Sequence, residues 1–240
     1  AIYYNKKFIS LTENLQFIIL NFSMHSVPSR SADEEIVNSY THLLWSILSL
    51  VFMLLFLFES GLPAKYKTAS ILMTGLSGWT FFSSFLYHST KDRKKYQNRE
   101  VDKSSIFLMI IGCGVSLNMS CIDPLAASIS CTVLIVVGSI LALLYTHTKK
   151  PSEVLSLTSY VLLGWFCILP ITGFLGDTLY SITSSSWMII TGGIAYSVGI
   201  LFYAKDSIKW NHTYWHLCVM VGYLFHLAGH YTVMKYVLIT

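Results

Sequence analysis

Five residues carry the chemical content of this sequence: Ser84 and His88, four apart; then Asp102; then His212 and His216, again four apart. In a helix, a spacing of four stacks two side chains on one face. Neutral imidazoles are borderline-soft ligands that suit zinc, and three of them with an open fourth position form the catalytic arrangement of that metal. A neighbouring carboxylate can hold water or take its proton, since zinc moves the pKa of water toward about 7. The pattern predicts His88, His212 and His216 as metal ligands. Asp102 would hold the water or act as base, and Ser84 would be a supporting hydrogen-bond or oxyanion partner. A single histidine at a membrane interface is more often an anchor or a packed residue. Two same-face pairs and an aspartate at matched depth favour the ligand reading. Imidazole and carboxylate also suit iron or nickel, so residue type alone leaves the metal open.

The elements that must position these residues are apolar runs of membrane-spanning length. They lie at about 39–58, 68–87, 102–121, 124–145, 153–175, 187–203 and 212–237. Each is near the roughly 20 residues that cross a core of about 30 Å. Backbone amides in lipid must pair within their own segment, and no alternating barrel pattern occurs, so the spans are helices. The fold class expected is all-α: an integral membrane bundle of seven transmembrane helices. Asp33, Glu34 and Glu35 mark a helix start, Gly61-Leu62-Pro63 breaks the chain after span one, and Pro170 predicts a kink in span five. Because spans alternate in direction, the end of span two and the starts of spans three and seven lie at one membrane face. All five residues then share a depth.

Composition supports this. Apolar residues make up 54% of the 240 and charged ones 12%, against about 25% charged in soluble domains. One transmembrane domain is expected over residues 33–240, preceded by an N-terminal arm at 1–32. Residues 1–23 read as an upstream extension or a poorly packed arm. A signal peptide fits less well, because Thr12, Glu13 and Asn14 dilute the apolar stretch. The net charge of +4 is concentrated in loops, where it sets topology; no nucleic-acid partner is implied. Arg30, Lys91, Arg93, Lys94, Lys95, Arg99, Lys103, Lys149, Lys150, Lys205 and Lys209 fall on one side, and only Lys65, Lys67 and Lys235 on the other. That bias predicts a cytoplasmic N-terminus and an outside C-terminus, in a plasma or inner membrane.

Other candidates are weaker. His226 and His230 repeat the spacing of four, but begin roughly 15 Å beyond His216 along the helix; they read as packing or cavity-lining residues. His42 and His147 lie near the predicted site, His147 as an interfacial anchor. Cys113, Cys121, Cys131, Cys167 and Cys218 have no paired spacing and read as small packing residues. The N-x-S/T matches at Asn21, Asn118 and Asn211 read as accidental. No H-E-x-x-H, G-x-S-x-G, Walker or dinucleotide motif occurs. Gly192, Gly193, Ala195, Ser197 and Gly199 predict a close helix contact in span six.

At these positions the sequence resembles the hemolysin III family, within the progestin and adiponectin receptor superfamily and a wider group that includes alkaline ceramidases. The group's pattern is S-x3-H, then D, then H-x3-H, read here in Ser84–His88, Asp102 and His212–His216. Asn38-Ser39-Tyr40-Thr41-His42 resembles the opening of the family's first span. Gly192-Gly193-Ile194-Ala195-Tyr196, with Gly199 and Phe202-Tyr203, is similar to its sixth; Trp215-His216, with Val219, Gly222 and His226, is similar to its seventh. The likeness covers about residues 33–232. The segment after Asp102 departs from it, lacking the family's Tyr-Thr-Pro element. The resemblance implies a seven-helix bundle with a zinc site on the cytoplasmic side, and relatives that hydrolyse lipid amides.

Three functions are therefore carried forward. In the first, zinc-activated water attacks an amide or ester carbonyl of a membrane lipid, ceramide-like in class, with Asp102 as base and Ser84 steadying the oxyanion. The second is a cytolytic pore or channel, although no ring of acidic residues and no polar stripe along a span supports it. The third is a receptor or sensor whose metal is structural. Membrane lipids are the expected partners of the first.

Overall fold

The structure, a computed structural model, describes residues 30–91, 94–119, 124–147, 152–168, 184–205 and 207–239. Among these residues every regular element is helical: α1 (Ala32–Phe58), α2 (Ala64–Ser89), α3 (Lys94–Asn118), α4 (Pro124–His147), α5 (Glu153–Phe166), α6 (Ser184–Tyr203) and α7 (Asn211–Ile239). Five of them, α1, α2, α4, α6 and α7, are long and apolar enough to cross a membrane. The remaining pair differ for separate reasons. Helix α5 is apolar but spans only 14 described residues. Helix α3 opens on the charged segment Lys94–Val101, which lowers its apolar character.

Two details of the expected spans shift. Helix α3 begins at Lys94, so Asp102 sits in its third turn rather than at its start. The basic stretch ahead of Asp102 is made of good helix formers, and nothing there breaks the helix before the loop. Pro170, with the second half of the expected fifth span, lies outside the described residues, as do Cys121 and the arm up to residue 29.

Helix α1 begins where Ser31 Oγ accepts the Glu34 amide at 3.2 Å, with Asp33, Glu34 and Glu35 in the first turn, where carboxylates complement the helix dipole. Its amphipathicity is inverted. Leu44, Ile47, Leu54, Leu55 and Phe58 are exposed, while Glu34, Asn38, Ser39, His42 and Ser49 are buried. An apolar outside and a polar inside are what a lipid solvent selects.

Helices adjacent in sequence pack most closely: α1 on α2, α2 on α3, α3 on α4, and α6 on α7. The main core is built by α2, α3 and α7 through Met73, Phe81, Met109, Cys113, Trp215 and Tyr223, with Trp45 of α1 packed against it. A second core joins α3, α4 and α5 around Phe107, Leu134, Tyr145 and Tyr160. The small-residue stretch of α6 makes the expected close approach. A Cβ on Gly192 would lie 2.3 Å from His226 Cδ2, and one on Gly199 would lie 2.8 Å from Trp215. The described cysteines are all free, with Cys113 and Cys167 buried.

Candidate metal centre

Two helix ends converge at one end of the bundle, and between them they supply three histidines. Helix α2 delivers His88 in its last turn, and α7 delivers His212 and His216 in its first two. The chain enters α7 through Trp210, which holds φ at 65°, a left-handed conformation unusual for a bulky residue. The three imidazoles are buried, at 3%, 5% and 2% exposure. His212 Nε2 lies 3.2 Å from His88 Nε2 and 3.0 Å from His216 Nε2.

This donor set fits a metal ion. One atom from each of the three residues lies within 4.8 Å of the others. Tetrahedral zinc, with bonds of about 2.0–2.1 Å, places neighbouring ligand nitrogens about 3.3–3.4 Å apart, so the observed separations are within a few tenths of what such an ion demands. Hydrogen bonding alone serves the three nitrogens poorly. His212 Nε2 carries at most one proton and can donate to only one of its two neighbours. A cation at their centre would satisfy all three.

His88 has a further partner. Its Nδ1 lies 2.6 Å from Glu35 Oε2, and Lys95 Nζ lies 3.1 Å from Glu35 Oε1. His42 stacks on His216 with ring centroids 3.7 Å apart and planes 19° from parallel. Ser84 is buried and its hydroxyl neighbours the Asp102 carboxyl. Both line an internal cavity of about 130 Å³ together with His42, His212 and His216. Asp102 is of intermediate burial.

The cavity runs from this polar end into an apolar interior bounded by Ile110, Val161, Ile189 and Val219, and reaches His226. Its polar rim is an ion-paired network. Glu153 Oε1 accepts from Arg99 Nη2 at 2.7 Å and Lys103 Nζ at 2.9 Å, and Glu153 Oε2 accepts from Tyr203 OH at 3.1 Å. The network ties α5 to α3 and α6.

All five predicted site residues therefore gather at one end of the bundle, the histidines as a cluster and the Ser84–Asp102 pair on the adjoining wall. His42 joins them, while His147 ends α4 on an exposed turn. The second histidine pair divides. His226 lines the cavity and meets the Ile189 carbonyl at 3.1 Å. His230 is fully buried, with Ser70 Oγ 2.9 Å from its Nε2. Sequence reasoning did not connect Glu35 or Lys95 to His88, or Glu153 to Arg99 and Lys103. The first had a signal: Glu35, Asn38, His42 and Ser49 recur at helical spacing, so α1 does carry a polar stripe, contrary to the expectation that no span has one.

Comparison with known proteins agrees with this architecture. A family profile described as Haemolysin-III related matches residues 30–227. Among curated proteins, the chain is 30% identical to a hemolysin-3 homolog of Bacillus subtilis (strain 168) over 199 residues, covering 79% of this chain and 89% of the relative. It is 28% identical to the hemolysin-3 of Bacillus cereus over 202 residues, covering 79% and 86%.

Proposed function

The chain belongs to the haemolysin-III related family of membrane proteins, and from that premise we propose that it is a zinc-dependent hydrolase of a membrane lipid amide or ester. In this reading seven helices span the bilayer, the N-terminus is cytoplasmic, and zinc is held by His88, His212 and His216. The observation that carries it is the convergence of three buried imidazole nitrogens beside a cavity whose far part is apolar and whose near wall holds Asp102 and Ser84.

When bound, zinc supplies Lewis acidity to a carbonyl oxygen and to water. The residues of the chain supply the rest. The apolar interior takes an acyl chain, and the histidine end takes the scissile group. Asp102 accepts the proton of the attacking water. The Ser84 hydroxyl, a neighbour of the Asp102 carboxyl, first serves that carboxylate. Once Asp102 has taken up a proton it can donate to Ser84 Oγ, and the serine O–H is then free to turn to the developing oxyanion. The proton passes from Asp102 to the leaving amine or alcohol.

The test is metal content and lipid turnover of the purified protein beside His216→Ala, with ceramide-class and ester lipids offered in mixed micelles. Loss of both in the variant supports the reading; undiminished turnover of a responsive lipid in His216→Ala ends it. A second reading, membrane lysis, is favoured by the names of the relatives, a hemolysin-3 homolog and a hemolysin-3. Dye leakage from sealed vesicles without lipid cleavage would select it.

A further inference from the structure

We infer that Glu35 is the residue that sets the proton of His88, so that Nε2 of that ring is presented to the metal. The inference rests on the zinc reading above and adds a positioning residue to it.

A metal-binding imidazole offers one nitrogen as a lone pair, and its other nitrogen then carries the proton. A carboxylate at the second nitrogen fixes that choice and raises the basicity of the ligand. The contact at His88 has this form. Glu35 Oε2 stands 2.6 Å from Nδ1, and an ionised carboxylate can only accept, so the proton is on Nδ1. The His88 side chain is fully buried and that of Glu35 is 17% exposed, so solvent competes weakly for the bond. The carboxylate is itself held. Lys95 Nζ donates to its other oxygen at 3.1 Å, and that ammonium also sits over the Tyr87 ring, 5.0 Å from the centroid. The result is a chain of contacts from Lys95 through Glu35 to His88 that joins α3, α1 and α2. Among the described residues no other carboxylate makes an ion-pair contact to the three histidines, and His216 Nδ1 has no protein partner. His88 is also the one ligand contributed by α2, so its ring orientation is not shared with a neighbour on its own helix.

The substitution Glu35→Gln tests this with little change of shape. Glutamine has one acceptor oxygen, and both Lys95 and His88 Nδ1–H require it. With the oxygen turned to Lys95, the amide N–H faces His88 and favours a proton on Nε2, the tautomer that cannot bind the metal. Zinc affinity of the full chain in detergent, measured by competition with a chromophoric chelator, is expected to fall about ten- to hundredfold. The helical content and thermal midpoint of the metal-free protein should stay at wild-type values. Adding Lys95→Ala to Glu35→Gln frees the amide oxygen for His88 and should recover part of the loss, a rescue that a merely packing role would not give. Wild-type affinity in Glu35→Gln, or a loss that Lys95→Ala fails to reduce, overturns the role of Glu35. A wild-type protein that takes up no zinc overturns the site itself, and this inference with it.

Discussion

His42 of α1 lies flat against His216 of α7, ring centroids 3.7 Å apart and planes 19° from parallel. Neither nitrogen of His42 has a protein partner, and the residue is 5% exposed. Burying a polar group without a hydrogen bond costs about 1–3 kcal/mol. The stack offsets part of this, at about 0.5–1.5 kcal/mol for an aromatic pair. The substitution His42→Phe keeps the stack and removes the polar cost, so the thermal midpoint in detergent is expected to rise. A lowered midpoint would mean that the nitrogens of His42 have a partner other than protein.

Zinc should act as a stabilising ligand of the folded bundle. At a free concentration about 100 times the dissociation constant, linkage gives about 2.7 kcal/mol. Thermal unfolding of the wild-type protein with and without zinc should show a clear upward shift. The same addition should leave His88→Ala, His212→Ala and His216→Ala near their metal-free midpoints. An equal shift in all four proteins would place the ion elsewhere.

Asp102 and the three histidines should separate by readout. Asparagine at position 102 can still hydrogen-bond to Ser84 but cannot take a proton. We expect Asp102→Asn to lower lipid turnover by about 10²–10⁴-fold while zinc affinity changes only a few-fold. Steady-state turnover beside chelator competition checks both halves; a parallel collapse of affinity would make Asp102 a ligand instead.

Two glycines should respond oppositely to alanine. A Cβ at Gly192 would meet His226 Cδ2 at 2.3 Å and the Gly222 carbonyl at 2.9 Å, so Gly192→Ala should force α6 from α7 and cost about 1–3 kcal/mol. A Cβ at Gly164 meets nothing within 4 Å, so Gly164→Ala should be neutral or gain up to about 1 kcal/mol from helix propensity. Thermal midpoints of the two variants decide, and similar values would contradict the packing at α6 and α7.

Much of this is legible in the sequence. Apolar runs near 20 residues located the helices, and the four-residue spacings of Ser84 with His88 and of His212 with His216 placed each pair on one face, because the pitch of a helix is local and fixed. The alternation of spans brought Asp102 to the same end. The start of α3 was less legible, because Lys94–Val101 is charged yet helical, and hydropathy measures the solvent around a segment rather than its conformation.

What only the tertiary structure decided is which faces meet. Helical period states that Glu35 and His42 share a face, and that His226 and His230 share another, but says nothing of what stands opposite. The fold set Glu35 against His88 and laid His42 on His216. It gave His230 to Ser70 of α2, 160 residues away in the chain, and left His226 on the cavity wall. Side-chain order along one helix follows from its own backbone, whereas contacts between helices depend on the rotation and depth at which each packs, and those are settled jointly by every neighbour in the bundle.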